Sequence, residues 1–193
     1  MGLFLTGRPA NQTLLLMITM VRQRIIDAAT AVLIREGLHR WTVEAVAKEA
    51  GCAKGLVHYH HGSKDKLLRA VAQQLARRRL EERSQALERP GASGLDALWD
   101  VLTRTAASGA TAAWASLQAY LSRVDVDLGA SDDDVETFAD QVARSLTLNT
   151  VPQPEARALF TALDGLELAL LGRADTDAVH EAYHTIWLWL LRT

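Results

Sequence analysis

A single cysteine, Cys52, among 193 residues leaves no partner for an internal disulfide, which points to a reducing cytoplasm. Proline is scarce too: Pro9, Pro90, Pro152 and Pro154 punctuate the chain and leave long stretches uninterrupted. No apolar run approaches the ~20 residues that a membrane-spanning helix needs. The nearest candidate, Leu14 to Val21, follows Arg8 as a secretory leader would. It is short, contains Thr19, and no small-residue cleavage site follows it, so export is not expected. The first 16 to 19 residues are read as a loose extension, with Met17 and Met20 as alternative starts. Alternating apolar and polar runs are also missing, which excludes a sheet.

Hydrophobic residues make up 49% of the chain and charged residues 23%, a globular balance that excludes wholesale disorder. The net charge of −2 conceals an asymmetry. Met20 to Ala70 holds nine basic and five acidic residues, a net +4, whereas Val71 onward holds eleven and eighteen, a net −7. A basic head on an acidic body suits a polyanion-binding module with a separate control domain.

Helical spacing recurs throughout. A first helix spans about Val21 to Glu36, with Ile25, Ala28, Ala29 and Val32 on one stripe and Gly37 as terminator. Thr42 caps a second, whose Val43, Val46, Ala47 and Ala50 repeat at i, i+3, i+4 and i+7. Gly51 turns the chain into a brief third helix, about Ala53 to His60, ended by Gly62. Ser63 caps a long fourth, which reaches about Leu87 through the basic run Arg77 to Arg79. After the break Arg89-Pro90-Gly91 come helices at about Leu95 to Ala107 and Thr111 to Arg123, then one capped by Ser131-Asp132-Asp133-Asp134. The last two span about Glu155 to Gly172 and Thr176 to Arg192.

Those last two are apolar nearly all round, so both sides need cover. A second copy of the chain is the preferred cover, with Leu166, Leu170, Ile186, Trp187, Trp189 and Leu190 at the interface. A hairpin buried within the monomer is the alternative.

Two short helices hinged at Gly51, one braced across the other with Lys54, His58, Tyr59 and His60 on the second, suit a DNA major groove. Thr42, Ala45-Val46-Ala47, Gly51, Lys54-Gly55-Leu56-Val57-His58-Tyr59-His60 and Ser63-Lys64 stand in the order and spacing of one family. Residues Arg22 to Val71 resemble the N-terminal domain of TetR-family transcriptional regulators. The segment Asp164 to Gly172 (DGLELALLG) resembles the dimer-forming helices of relatives.

The resemblance implies an all-α chain of about nine helices. A helix-turn-helix domain at 20–70 would follow the 1–19 extension and precede a ligand-binding and dimerisation domain at 71–193. It also implies a homodimer on a palindromic operator, released by a small effector, with no cofactor and no catalysis. Thr42, Tyr59, His60 and Lys64 would take phosphates; each carries a donor for phosphate oxygen. Lys54, Gly55, Leu56 and His58 would face base edges, Lys54 donating to guanine O6 and N7. Glu44 either accepts from cytosine N4 or serves only the helix dipole. Trp99, Leu102, Trp114, Leu117, Tyr120, Leu121, Phe138 and Val142 lie on the helices that enclose the effector cavity in relatives, and imply a hydrophobic ligand. Two residues depart from the family pattern: His61 stands where relatives carry an inward phenylalanine, and His58 where many carry tyrosine.

Two rival functions have specific signals. His180-Glu181-Ala182-Tyr183-His184 matches H-E-x-x-H, the arrangement of a zinc hydrolase. The nine residues after His184 include no further ligand, so a pair of polar histidines is preferred there. His58, His60 and His61 scatter around their helix, and no metal is expected at either place. The second rival is a helical scaffold whose head binds protein rather than DNA.

Overall fold

The computed structural model describes residues 10–124, 131–172 and 175–192. Nine α-helices and one 3₁₀ turn, and no strand, occur among the described residues. The helices are α1 (Ala10–Glu36), α2 (Val43–Glu49), α3 (Lys54–His61), α4 (Lys64–Ala86), α5 (Ala92–Ala107), α6 (Ala110–Leu121), α7 (Asp132–Leu146), α8 (Gln153–Leu171) and α9 (Thr176–Leu190). The fold divides into two compact units, the first running to Val71 and the second starting at Ala72. The helix α4 begins in one and ends in the other.

In the first unit, α1 and α2 bury Ile25, Ala29, Val32, Leu33, Val46 and Ala47, and Val57 of α3 joins them. Trp41, buried just before α2, donates its indole N–H to the Ala29 carbonyl at 2.9 Å, which satisfies the one polar atom of a large apolar side chain. Thr42 caps α2 by accepting from the Ala45 N–H at 3.1 Å. The α2–α3 turn passes through Gly51 at φ +61°, a left-handed conformation that costs glycine nothing. Ser63 caps α4 by accepting from the Lys66 N–H at 3.2 Å.

The N-terminal segment differs from expectation. The first helix starts at Ala10 rather than near Val21, so the supposed loose extension is helical from Ala10 on; residues 1–9 lie outside the described residues. No proline or glycine interrupts Leu14 to Met20, and Thr19 returns a hydrogen bond to the Leu15 carbonyl at 2.9 Å. Leu14, Leu15, Leu16, Met17, Ile18 and Met20 are all exposed, so intrahelical bonding rather than burial sustains this stretch.

The second unit packs α5, α7, α8 and α9 around Leu98, Leu102, Phe138, Val142, Leu159 and Leu163. Ser131 and Asp134 form a reciprocal capping box at the start of α7, as the run of acids suggested. Gly94 marks a close approach: an added Cβ would lie 2.3 Å from the Arg89 carbonyl oxygen, so the first turn of α5 has room there only for glycine. Tyr183 of α9 is buried and donates its hydroxyl to the Leu95 carbonyl at 2.6 Å; burial pushes the phenol well above its ordinary range.

The supposed dimer residues divide. Leu166, Trp187 and Leu190 are buried in the chain's own core, and Leu170 and Ile186 are partly buried against it. Trp189 is exposed, and with it Leu168, Leu171, Leu188 and Leu191, on the opposite faces of the same two helices. One face of these two helices is therefore covered by the chain's own core, and the other carries exposed apolar side chains.

Candidate nucleic-acid interface

The third helix is amphipathic within eight residues. Val57 and His61 point inward, while Lys54, His58 and Tyr59 point out, Tyr59 with 79% of its surface exposed. So exposed an aromatic adds little to the core, and its phenol can donate outward. His60 is half-buried and meets the Tyr59 ring edge-on, centroids 5.1 Å apart. Leu56 is half-buried. Gly55 is exposed, and an added Cβ there would meet nothing within 4 Å, so the protein itself leaves open the space beside its backbone.

Two flanking residues lie at the helix ends next to α3. Thr42 is exposed, and its oxygen already accepts from Ala45, so its hydroxyl proton remains to donate outward. Lys64 is exposed and its ammonium sits 5.6 Å from the centre of the Trp41 ring, a cation–π contact that limits where the long side chain swings. Thr42, Lys54, Tyr59 and Lys64 thus combine a hydroxyl, two ammonium groups and a phenol in one unit, a donor set suited to phosphate and base edges.

Lys54 is not solitary. Its ammonium pairs directly with the Glu44 carboxylate from the first turn of α2. That hydrogen bond holds the Glu44 carboxyl below its ordinary range, and the His58 imidazole adds weakly in the same direction. The carboxylate therefore touches a neighbouring side chain as well as serving the α2 dipole.

His61 takes the inward position. It is 5% exposed and hydrogen-bonded to the Arg22 backbone, and its Nε2 has no partner among the described residues. Burial is the main reason its imidazole lies below the ordinary range, and the charges of Arg22 and His60 push the same way. No group of three histidine, cysteine, aspartate or glutamate side chains placed to hold a metal ion occurs among the described residues. His180 and His184 have ring centroids 4.3 Å apart, and His180 also lies against Trp99 at 4.5 Å.

In the second unit a cavity of about 260 Å³ opens between α4, α6, α7 and α8. Leu80, Trp114, Val135 and Phe160 give it apolar walls, and Arg79, Gln118, Thr161 and Asp164 supply polar groups. Of the eight effector residues expected from the sequence, Trp114 alone lines it. Leu102, Leu117, Leu121, Phe138 and Val142 are fully buried, Trp99 packs against His180 and Tyr183, and Tyr120 is half-buried away from the lining. Helical periodicity marks which face is inside, but cannot separate a cavity wall from filled core.

Sequence reading missed the polar floor of this cavity. Arg79 and Arg83 of α4 meet Asp164 and Glu167 of α8, with N···O separations of 2.6 to 3.1 Å. Arg83 and Glu167 are almost wholly buried, Thr111 donates to Glu167 at 3.3 Å, and the two guanidinium groups lie over the Trp114 and Phe160 rings. The signal was present as basic residues at i, i+4 on one helix and acidic residues at i, i+3 on another.

Residues 25–71 match the model of the tetR family of bacterial regulatory proteins. Over 50 residues the chain is 42% identical to the HTH-type transcriptional regulator SrpR of Pseudomonas putida, covering 26% of this chain and 24% of that protein. It is also 42% identical over 50 residues to the uncharacterised HTH-type transcriptional regulator TtgW of the same species, covering 26% and 37%. The match thus spans 24% and 37% of the length of these two curated relatives. The likeness to the multidrug binding protein EbrR, solved in complex with malachite green, runs through both units. There the identity is 27%, the coverage 86% of this chain and 96% of that one, and the TM-score 0.57.

Proposed function

We propose that this chain, whose residues 25–71 match the model of the tetR family, is a DNA-binding transcriptional regulator of that kind, a ligand-responsive homodimeric repressor. It acts in the cytoplasm on a palindromic operator. The observation that carries the proposal is the outward presentation of Lys54, His58 and Tyr59 on α3, flanked by Thr42 and Lys64. Thr42, Tyr59, His60 and Lys64 contact phosphates, while Lys54, Gly55, Leu56 and His58 face base edges.

Two such heads, related by a two-fold axis, read half-sites about one helical turn apart. The exposed Leu168, Leu171, Leu188, Trp189 and Leu191 supply the contact between copies; large apolar side chains concentrated on two adjacent helices suit an isologous interface.

The effector occupies the cavity beneath Trp114 and Phe160. EbrR binds malachite green, and aromatic walls with a few polar anchors suit a flat, largely apolar organic molecule. Because α4 carries Arg79 and Leu80 at the cavity and begins in the DNA-binding unit, a ligand that prefers one position of α4 changes DNA affinity. Such coupling is typically ~1–3 kcal/mol.

The hydrolase alternative is not favoured, since His180 and His184 have no third ligand among the described residues. The test is to select genomic fragments that the full chain retains, then titrate a retained fragment against salt. A steep loss of affinity with salt supports phosphate contact, and a salt-insensitive constant favours a protein-binding scaffold.

A further inference from the structure

The geometry points to Glu44 and Lys54 acting as one unit that reads a single G·C base pair. This rests on the DNA-binding reading above and adds to it an acidic residue and a base-pair identity. Lys54 opens α3 and Glu44 lies in the first turn of α2, so the α2–α3 turn at Gly51 brings them together across ten residues. The pair is direct, and both side chains are more than half exposed. Ion pairs this exposed contribute little to stability, so the fold does not need this one. An acid on a face turned toward phosphates also weakens DNA binding unless a donor on the DNA meets it. A donor on the DNA facing Glu44 would offset that loss.

The major-groove edge of a G·C pair supplies that donor beside two acceptors. Guanine shows N7 and O6, and the cytosine N4 amino group lies next to O6. The Lys54 ammonium has three protons, one of which is engaged by Glu44 Oε1, leaving two for O6 and N7. The Glu44 carboxylate, which also takes a backbone N–H, keeps lone pairs to accept from N4, and Gly55 beside Lys54 leaves the backbone room to approach. An A·T pair fits less well: adenine offers the single acceptor N7, and thymine O4 would face the carboxylate. Lysine alone would favour guanine. The added carboxylate fixes the ammonium in place and tests for the partner base as well. Ionisation is secure, because Lys54 already holds the Glu44 carboxyl below its ordinary range.

The test uses the full chain and a duplex library with a randomised centre, so the operator sequence need not be specified in advance. Bound duplexes are sequenced for the wild type, Glu44→Gln, Glu44→Ala, Lys54→Ala and the Glu44→Ala/Lys54→Ala double variant. The wild type should show one position in each half-site where G·C is preferred about 5- to 150-fold, the range of one good two-point base contact. All four variants should relax that position to within about twofold while other positions keep their preferences, because one unit is lost once. The Glu44 variants should also bind scrambled duplex more tightly, by anisotropy at fixed salt. Circular dichroism and melting should match the wild type, since both residues are exposed. Glu44 variants that select the wild-type site unchanged, a preference for A·T at that position, or losses that add in the double variant would each overturn the pairing. A wild-type chain that enriches no sequence would overturn the DNA-binding reading as well, which distinguishes the two failures.

Discussion

The Arg83 guanidinium and the Glu167 carboxylate meet at 3.1 Å inside the second unit, each with about 1% of its side chain exposed. Asp164 shares the Arg83 Nη2 at 2.6 Å, while the Nε and Nη1 of Arg83 have no partner among the described residues. Two charges withdrawn from water are held by each other and by few further bonds. This arrangement ties α4 to α8 at the floor of the cavity, where a bound ligand would sit beside Arg79 and Asp164.

Removing one member should therefore be costly. Glu167→Leu leaves the Arg83 and Arg79 guanidinium groups sharing the single Asp164 carboxylate, a loss of charge balance that should cost up to ~3–5 kcal/mol. Urea denaturation should show that loss, and Arg83→Met combined with Glu167→Leu should recover most of it. A double variant no more stable than Glu167→Leu would show that the pair itself, rather than the uncompensated positive charge, sets the cost.

His61 makes the first unit sensitive to acid. Its folded value lies below the ordinary imidazole range, so the unfolded chain takes up a proton first as pH falls. Stability is then complete above the unfolded value, ~6.5, and declines as pH drops through it toward the folded value. Urea midpoints at pH 7.5 and 5.5 should differ for the wild type. The His61→Phe variant, which puts an apolar ring in the same buried position, should show a smaller difference.

Lys64 and Tyr59 contact phosphates in the proposed complex, and their loss should be indifferent to sequence. Lys64→Ala should weaken operator and scrambled duplex alike and reduce the slope of log K against log salt by about one. Loss of affinity confined to the operator would place Lys64 on a base.

For the dimer, Leu188→Glu is the discriminating change, because Leu188 is 55% exposed and outside the core. A charge there should shift sedimentation toward monomer at micromolar concentration while the melting of the isolated chain is unaltered. Unchanged sedimentation would move the interface elsewhere.

Filling the cavity should separate ligand response from DNA binding. Thr161 is an exposed lining residue, and Thr161→Trp places an indole across the space beneath Trp114 and Phe160. In the proposed regulator, affinity for a flat aromatic probe that enters this cavity should fall by about tenfold or more, roughly 1.4 kcal/mol, with operator affinity in the absence of the probe unchanged.

The helix ends were legible because their chemistry is local. Thr42, Ser63 and Ser131 each accept from a backbone N–H three residues on, and Gly51 supplies a positive φ, so each can be read from neighbours in the chain. The start of α1 was not legible in that way: Leu14 to Met20 have neither cap nor breaker, and a stretch with no stop signal continues as helix although nothing in its own unit buries it. The apolar residues of α8 and α9 were correctly marked as having two faces, but only packing assigned Leu166, Trp187 and Leu190 to the inside and Leu188 and Trp189 to the outside.

By itself the sequence determined the all-helical fold, the helix-turn-helix spacing and the donor set on α3, because propensity, capping and periodicity act over three or four residues. The tertiary structure alone decided that Glu44 reaches Lys54, that Arg79 and Arg83 close on Asp164 and Glu167, and that Trp114 and Phe160 wall a cavity. Glu44 and Lys54 lie 10 residues apart in the chain, and Arg79 and Asp164 lie 85 apart. Whether opposite charges so separated meet or stay solvated depends on how whole helices pack.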